Sequence, residues 1–172
     1  MGVAGTAAAA DVVLLASTTA SGDASISFTS GIDSTYGEYI FRFYNINPGT
    51  NSRHLAFQGS VNGGSSYGVT ITTTHWYSHL REDNVQENVT YTADQDIAQG
   101  TGVQHLTAGI TSDADGSGVG ELHLFNPSST TYAKHFYSRT QCMQGDSPRF
   151  SEQQFVGGYF NTTDDIDAVQ FK

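Results

Sequence analysis

The chain of 172 residues holds one cysteine, three prolines and only seven lysines and arginines. A single thiol, Cys142, forbids an internal disulfide framework. Leu and Lys are scarce, so the strong helix formers are too few for a helical bundle. No apolar run approaches the ~20 residues that span a bilayer, and no membrane partner is expected. Seven cations stand against 17 acids, a net charge of −10. Neutralising phosphates needs clustered cations, so no nucleic-acid partner is expected either. A secretory signal is also missing: the first residues carry no basic region, Asp11 interrupts them, and the apolar stretch Val12 to Ala16 is too short.

What the chain does contain is Gly (19 residues), aromatic side chains (12%) and Ser and Thr, which fill about a fifth of it. That aromatic content, with many Val and Ile, can fill a core and argues against disorder. The dominant period is two, the signature of strands. Over Asp23 to Thr29, Ala24, Ile26 and Phe28 share one face. Over Gly37 to Ile46, Tyr39, Phe41 and Phe43 face one way and Ile40, Arg42 and Tyr44 the other, which suggests a central strand covered on both sides. Leu55, Phe57, Gly59 and Val61 alternate, then Tyr67, Val69, Ile71 and Thr73. Between these two runs stands Asn62-Gly63-Gly64, a hairpin signal because these residues tolerate positive φ. Further strands are expected at 89–93, 102–110, 120–126, 132–139, 158–161 and 166–171. Asn126-Pro127-Ser128-Ser129 suggests another hairpin connection, and polar Gln141 to Gln154 a long surface loop.

Short strands with frequent turns predict an all-β fold, an antiparallel jelly-roll-like β-sandwich. No linker or internal repeat divides the chain. The expected organisation is a flexible Gly/Ala arm over residues 1–10 and one sandwich domain over 11–172. Met1-Gly2-Val3-Ala4-Gly5-Thr6 fits the myristoylation pattern, but so short a pattern arises by chance. The plainer expectation is an arm that orders against a neighbour.

Chemistry-bearing patterns are few. His75 and His79 stand four apart, but on a strand that spacing is roughly 13 Å, too far for one zinc ion. The better cation candidate is Asp113-Ala114-Asp115-Gly116-Ser117-Gly118, an oxygen-rich loop with Asp113, Asp115 and Ser117 as calcium ligands and Glu121 as a further one. It lacks the terminal bidentate Glu of an EF-hand, so an acidic Gly-rich turn is the alternative. Asp94 and Asp96 could stand roughly 7 Å apart on an extended segment, near the spacing of an inverting glycosidase. No aromatic sugar platform accompanies them in sequence, and solvated charges are the simpler reading. Cys142 has Arg139 nearby but no identifiable His partner, so a plain thiol is expected. The sequons at Asn88 and Asn161 are expected to be unmodified. His75, Trp76, Tyr77 and His79 could form a carbohydrate-binding surface at a strand end, although a lone Trp more often belongs to a core. No catalytic residue and no cofactor is assigned.

Several blocks carry a resemblance: Ala24 to Ile32, Tyr39 to Phe43 with Asn47-Pro48, Asn62 to Tyr67, Gly120 to Ser129, Lys134 to Ser138, Gly157 to Thr163 and Ile166 to Lys172. Together they resemble a family of small virion proteins of marine bacteriophages, the cyanophage- and pelagiphage-like β-sandwich structural proteins. The resemblance covers nearly the whole chain after residue 14. It implies a non-enzymatic virion structural protein, a capsid decoration or cement or a tail or fibre component. Its partners would be other virion proteins and further copies of itself as a homo-oligomer. The alternative is a carbohydrate-binding module for a host surface glycan. Similar chains continue beyond Gln170-Phe171-Lys172 with another short strand, which bears on the last sheet edge.

Overall fold

A computed structural model describes residues 12–145 and 147–172. The arm expected over residues 1–10 and the myristoylation pattern lie outside the described residues. The expected all-β class holds, with ten strands among the described residues in two antiparallel sheets. They are β1 (Ile26–Phe28), β2 (Glu38–Ile46), β3 (Ala56–Ser60), β4 (Ile71–Arg81), β5 (Glu87–Tyr91), β6 (Gln104–His105), β7 (Gly118–Phe125), β8 (Lys134–Gln144), β9 (Phe150–Phe160) and β10 (Ala168–Phe171). Among the described residues no helix is long and apolar enough to cross a membrane.

The first sheet has the order β1-β10-β3-β6 and the second β2-β7-β8-β9-β4-β5. In an eight-stranded jelly roll one sheet runs first, last, third, sixth, and the other second, seventh, fourth, fifth. The present orders are that pattern with its seventh position taken by a meander of three strands. β7 pairs with β2 on one side of the insert, and β9 pairs with β4 on the other. The result is a jelly roll whose second sheet is two strands wider.

The core lies between the layers and is built on phenylalanines. Phe57 meets Phe136 edge-on at 4.9 Å, Phe136 meets Phe160 at 5.3 Å, and Phe43 meets Phe171 at 5.0 Å. Leu122, Leu124, Val156, Ile166 and Val169 fill the spaces between them. All but Ile166, which precedes β10, occupy alternate strand positions, so the period-two pattern is the main physical source of the buried layer.

Three expectations are corrected. β2 is an edge strand, not a central one. Tyr39 and Phe43 do turn inward, but Arg42 and Tyr44 stand in solvent. The runs around Asn62-Gly63-Gly64 do not form a hairpin, because β3 and β4 belong to different sheets. The turn does have the positive φ foreseen, 66° at Gly63 and 80° at Gly64. It carries the chain across the sandwich and is anchored where the Gly63 N–H donates to the Asp167 carboxylate at 2.9 Å. Finally, Gln141 to Gln154 is no surface loop. Most of it belongs to β8 and β9, which pair over eleven positions from Lys134↔Phe160 to Gln144↔Phe150.

Candidate functional site

The four residues expected to share a ligand surface are divided by strand alternation. His75, Tyr77 and His79 take the inner side of β4, and Trp76 takes the outer side, 40% exposed. The sole Trp is therefore not a core residue.

On the inner side His75 begins a buried polar chain. Its Nε2–H donates to Gln154 Oε1 at 2.5 Å, and Gln154 Nε2 donates to Glu152 Oε1 at 2.7 Å. His79 Nδ1 lies 3.9 Å from the other Glu152 oxygen. His75 Nδ1 and His79 Nε2 are buried without a partner. Burial lowers the His75 pKa against the opposing bond to Gln154, and raises that of Glu152. Across the interior, His54 and His105 stack at 4.2 Å with rings 7° from parallel. Each is held in place, His54 Nδ1 by the Thr107 carbonyl and His105 Nδ1 by Gln95 Oε1. Of Asp94 and Asp96, the second is engaged in the fold. Asp96 accepts from the His75 backbone N–H at 2.7 Å and from the Tyr91 hydroxyl.

The acidic loop that offered possible calcium ligands holds a guanidinium. Arg149 Nη2 donates to Asp113 Oδ2 and lies 3.9 Å from Asp115. The guanidinium is the main reason the Asp113 carboxyl titrates below the ordinary range. Asn47 ties the loop from beneath, donating to the carbonyls of Asp113 and Gly116 at 2.8 and 2.7 Å. Glu121 belongs to a different site: it stands on β7 beside Arg42. Ser117 lends its carbonyl to the Met143 N–H. Among the described residues no group of three or more His, Cys, Asp or Glu side chains is placed to hold a metal ion. Cys142 is fully buried, and burial pushes its thiol up to about 12, which leaves it unreactive.

The outer face of the six-stranded sheet is organised as a row that the linear sequence does not display. Tyr91 pairs with Trp76, Trp76 with Phe155, Phe155 with Arg139, Arg139 with Glu121, and Glu121 with Arg42. At ~4.8 Å per strand this row crosses the sheet over about 24 Å. Trp76 and Phe155 stack at 4.0 Å and 7°, and the Arg139 guanidinium covers the other side of Phe155 at 5.6 Å. With its amide oxygen turned toward Arg139, Gln153 accepts from Nε and Nη2 at 2.9 Å each.

Two shallow grooves flank the row. One, about 320 Å³, is floored by Gly157 and Gly158 and walled by Thr72, Thr74, Tyr137 and Tyr159. The other, about 340 Å³, lies over Gly120 between Arg42, Tyr44, Val119, Arg139 and Gln153. Tyr137 is braced by stacking on His123 at 4.5 Å, and His123 Nδ1 pairs with Glu38 at 2.6 Å. No protein-family model, curated protein or solved structure matches the chain.

A second exposed feature lies before β1. Residues 12–25 adopt no regular secondary structure and are exposed throughout. Within them Val12, Val13, Leu14 and Leu15 are 62%, 52%, 80% and 51% exposed.

Proposed function

We propose that this chain is a non-enzymatic virion structural protein, a jelly roll that decorates a capsid or belongs to a tail, and that it assembles with copies of itself and with other virion proteins. The carrying observation is the exposed apolar segment Val12–Leu15. Burying four such side chains is worth roughly 1.5–3 kcal/mol each. Fixing the backbone opposes this by about 1–2 kcal/mol per residue. The balance is a few kcal/mol at best, suited to a contact repeated many times on a particle. From Val12 to Gly22 the segment carries no charge. It can therefore approach a neighbour despite the net charge of −10 on each copy. The blocks from Gly120 to Ser129 and from Gly157 to Thr163, through their likeness to phage virion proteins, support the same reading.

The test compares the full chain with one lacking residues 1–20, by light scattering and by incorporation into particles. The shortened chain is expected to keep its melting temperature and lose both self-association and incorporation. If it enters particles as well as the full chain and keeps the same oligomeric state, the segment is not the docking element. Copy number then locates the protein, since a capsid component is present at far higher number than a tail component.

A further inference from the structure

At β5 the six-stranded sheet ends in an edge that no other strand covers among the described residues. The direction of its backbone groups follows from its pairing with β4. Thr92 N–H donates to the His75 carbonyl, and Arg81 N–H donates to the Gln86 carbonyl. Even-numbered positions therefore turn their N–H and C=O toward β4, and Glu87, Val89 and Tyr91 turn theirs to the open edge. Natural sheets blunt such an edge with a bulge, a lysine, a proline or a very short strand. Among the described residues the other three edges have such a device. β1 and β6 are three and two residues long, and β2 breaks its register between Phe43 and Ile46, where Asn45 has φ 52°. β5 has none. Glu87-Asn88-Val89-Thr90-Tyr91 pairs without a break, holds no Pro or Lys, and leaves Val89 70% and Tyr91 59% exposed.

We infer that β5 pairs antiparallel with β5 of a second copy about a twofold axis through Val89, which joins the two six-stranded sheets edge to edge. The strand is complementary to itself. Only the register that sets Val89 opposite its own counterpart overlaps all five residues, and in that register Glu87 faces Tyr91 and Asn88 faces Thr90. Each edge-directed N–H then meets an edge-directed carbonyl, so the donors and acceptors of Glu87, Val89 and Tyr91 are all satisfied. Charge permits the same register. Like charges directly opposite would oppose pairing, but the two Glu87 residues stand four positions apart, about 14 Å, beyond the ~8 Å screening length. Of the acids flanking the strand, Asp83 is paired with Arg81, and Asp96 accepts from Tyr91 and His75. On the outer side Val89 covers Val89, and Tyr91 covers the methylenes of Glu87. A contact of five residues a side falls short of the roughly 800 Å² per partner of a stable interface. It therefore closes between copies that the Val12–Leu15 segment has already gathered, and it rests on that reading of assembly.

The register can be trapped with cysteines, and the parent gives no background because Cys142 is fully buried. Asn88 and Thr90 face each other as a non-hydrogen-bonded pair, with Cα atoms about 4.5 Å apart, inside the ~4.4–6.8 Å range of a disulfide. Full-length Asn88→Cys and Thr90→Cys chains are mixed and air-oxidised. They are expected to give a disulfide-linked heterodimer, about tenfold or more above the homodimer formed by either chain alone. Val89→Lys on both chains sets two ammonium groups opposite each other and should cut that yield at least about tenfold, with the melting temperature unchanged. Removing residues 1–20 from both chains should lower the yield together with self-association. The inference is overturned if the mixed disulfide does not form, or if Val89→Lys leaves its yield unchanged. It is equally overturned if Thr90→Cys links to Leu14→Cys instead, since the edge would then receive the Val12–Leu15 segment. A full chain that self-associates without the mixed disulfide refutes the pairing and spares the segment. A chain lacking residues 1–20 that still self-associates and still gives the disulfide refutes the segment's role and supports the pairing.

Discussion

Adjacent glycines on β9 should respond to the same substitution in opposite ways. Gly158 points into the sandwich. A Cβ there would lie 2.6 Å from the Thr72 carbonyl oxygen, 2.7 Å from Thr73 Cγ2 and 3.0 Å from Phe136 Cζ. One of these is backbone and another a β-branched side chain, so the strands themselves must part. Overpacking of this kind costs about 1–3 kcal/mol. A chain of this size loses roughly 2–4 °C per kcal/mol. Gly158→Ala should therefore lower the melting temperature by about 2–12 °C. Gly157 points outward, and its added Cβ meets only Thr74 Oγ1 at ordinary contact distance, 3.9 Å. Removing glycine's excess freedom from a strand is worth about 0.5–1 kcal/mol, so Gly157→Ala should hold or raise the melting temperature. Thermal unfolding of both variants, followed by far-ultraviolet circular dichroism, decides the matter. Equal shifts, or a larger loss at Gly157, would refute the assignment of these two residues to opposite faces of β9.

Phe57 is 1% exposed and contacts three other phenylalanine rings, so Phe57→Ala should cost about 3–5 kcal/mol in denaturant titrations; a loss below about 1 kcal/mol would place Phe57 outside the core. Burial raises the Glu152 pKa above its ordinary 4.5, so its contribution to stability is present below that value and is lost as pH rises through the folded value. Glu152→Gln should then raise the denaturation midpoint at about pH 7 and leave it unchanged near pH 4, and no gain at neutral pH would contradict the buried placement. The opposite sign holds for His75 and His105, whose pKa values burial lowers. Their contribution is present above the ordinary value of 6.5 and is lost as pH falls through the folded values. Acidification from about pH 7 to 5 should destabilise the parent more than a His75→Gln/His105→Gln variant, and parallel pH profiles would remove the histidines from the account.

Alternation exposed most strands because one face of each is buried, and residues such as Tyr39, Phe43, Leu122 and Leu124 announce that face. It failed where the buried face is itself polar. Cys142, Glu152 and Gln154 all turn inward, so the hairpin of β8 and β9 looked like a loop. Glu152 and Gln154 are satisfied by one another and by His75, a pairing between β4 and β9 that no local pattern encodes. The Asn62-Gly63-Gly64 turn was legible as backbone chemistry, whereas its destination was not, because a crossing between layers and a hairpin ask the same φ of a glycine. The outer row was invisible for a different reason. Arg42, Trp76, Tyr91, Glu121, Arg139 and Phe155 are scattered along the sequence, and only the register of the sheet lines them up.

β10 is hydrogen-bonded on both sides, to β1 through Ile26↔Phe171 and to β3 through Gln170↔Gln58. It is the interior seam of the smaller sheet. Until residues 168–171 emerge from the ribosome, β1 has no strand to pair with and β3 has only two-residue β6. The meander of β7, β8 and β9 needs only short connections and can assemble earlier, with its phenylalanines facing a layer that does not yet exist. A nascent or clipped chain lacking these few residues would expose Phe57, Phe136 and Phe160 to every other such chain around it, so the final strand governs whether the product is a folded domain or an aggregate.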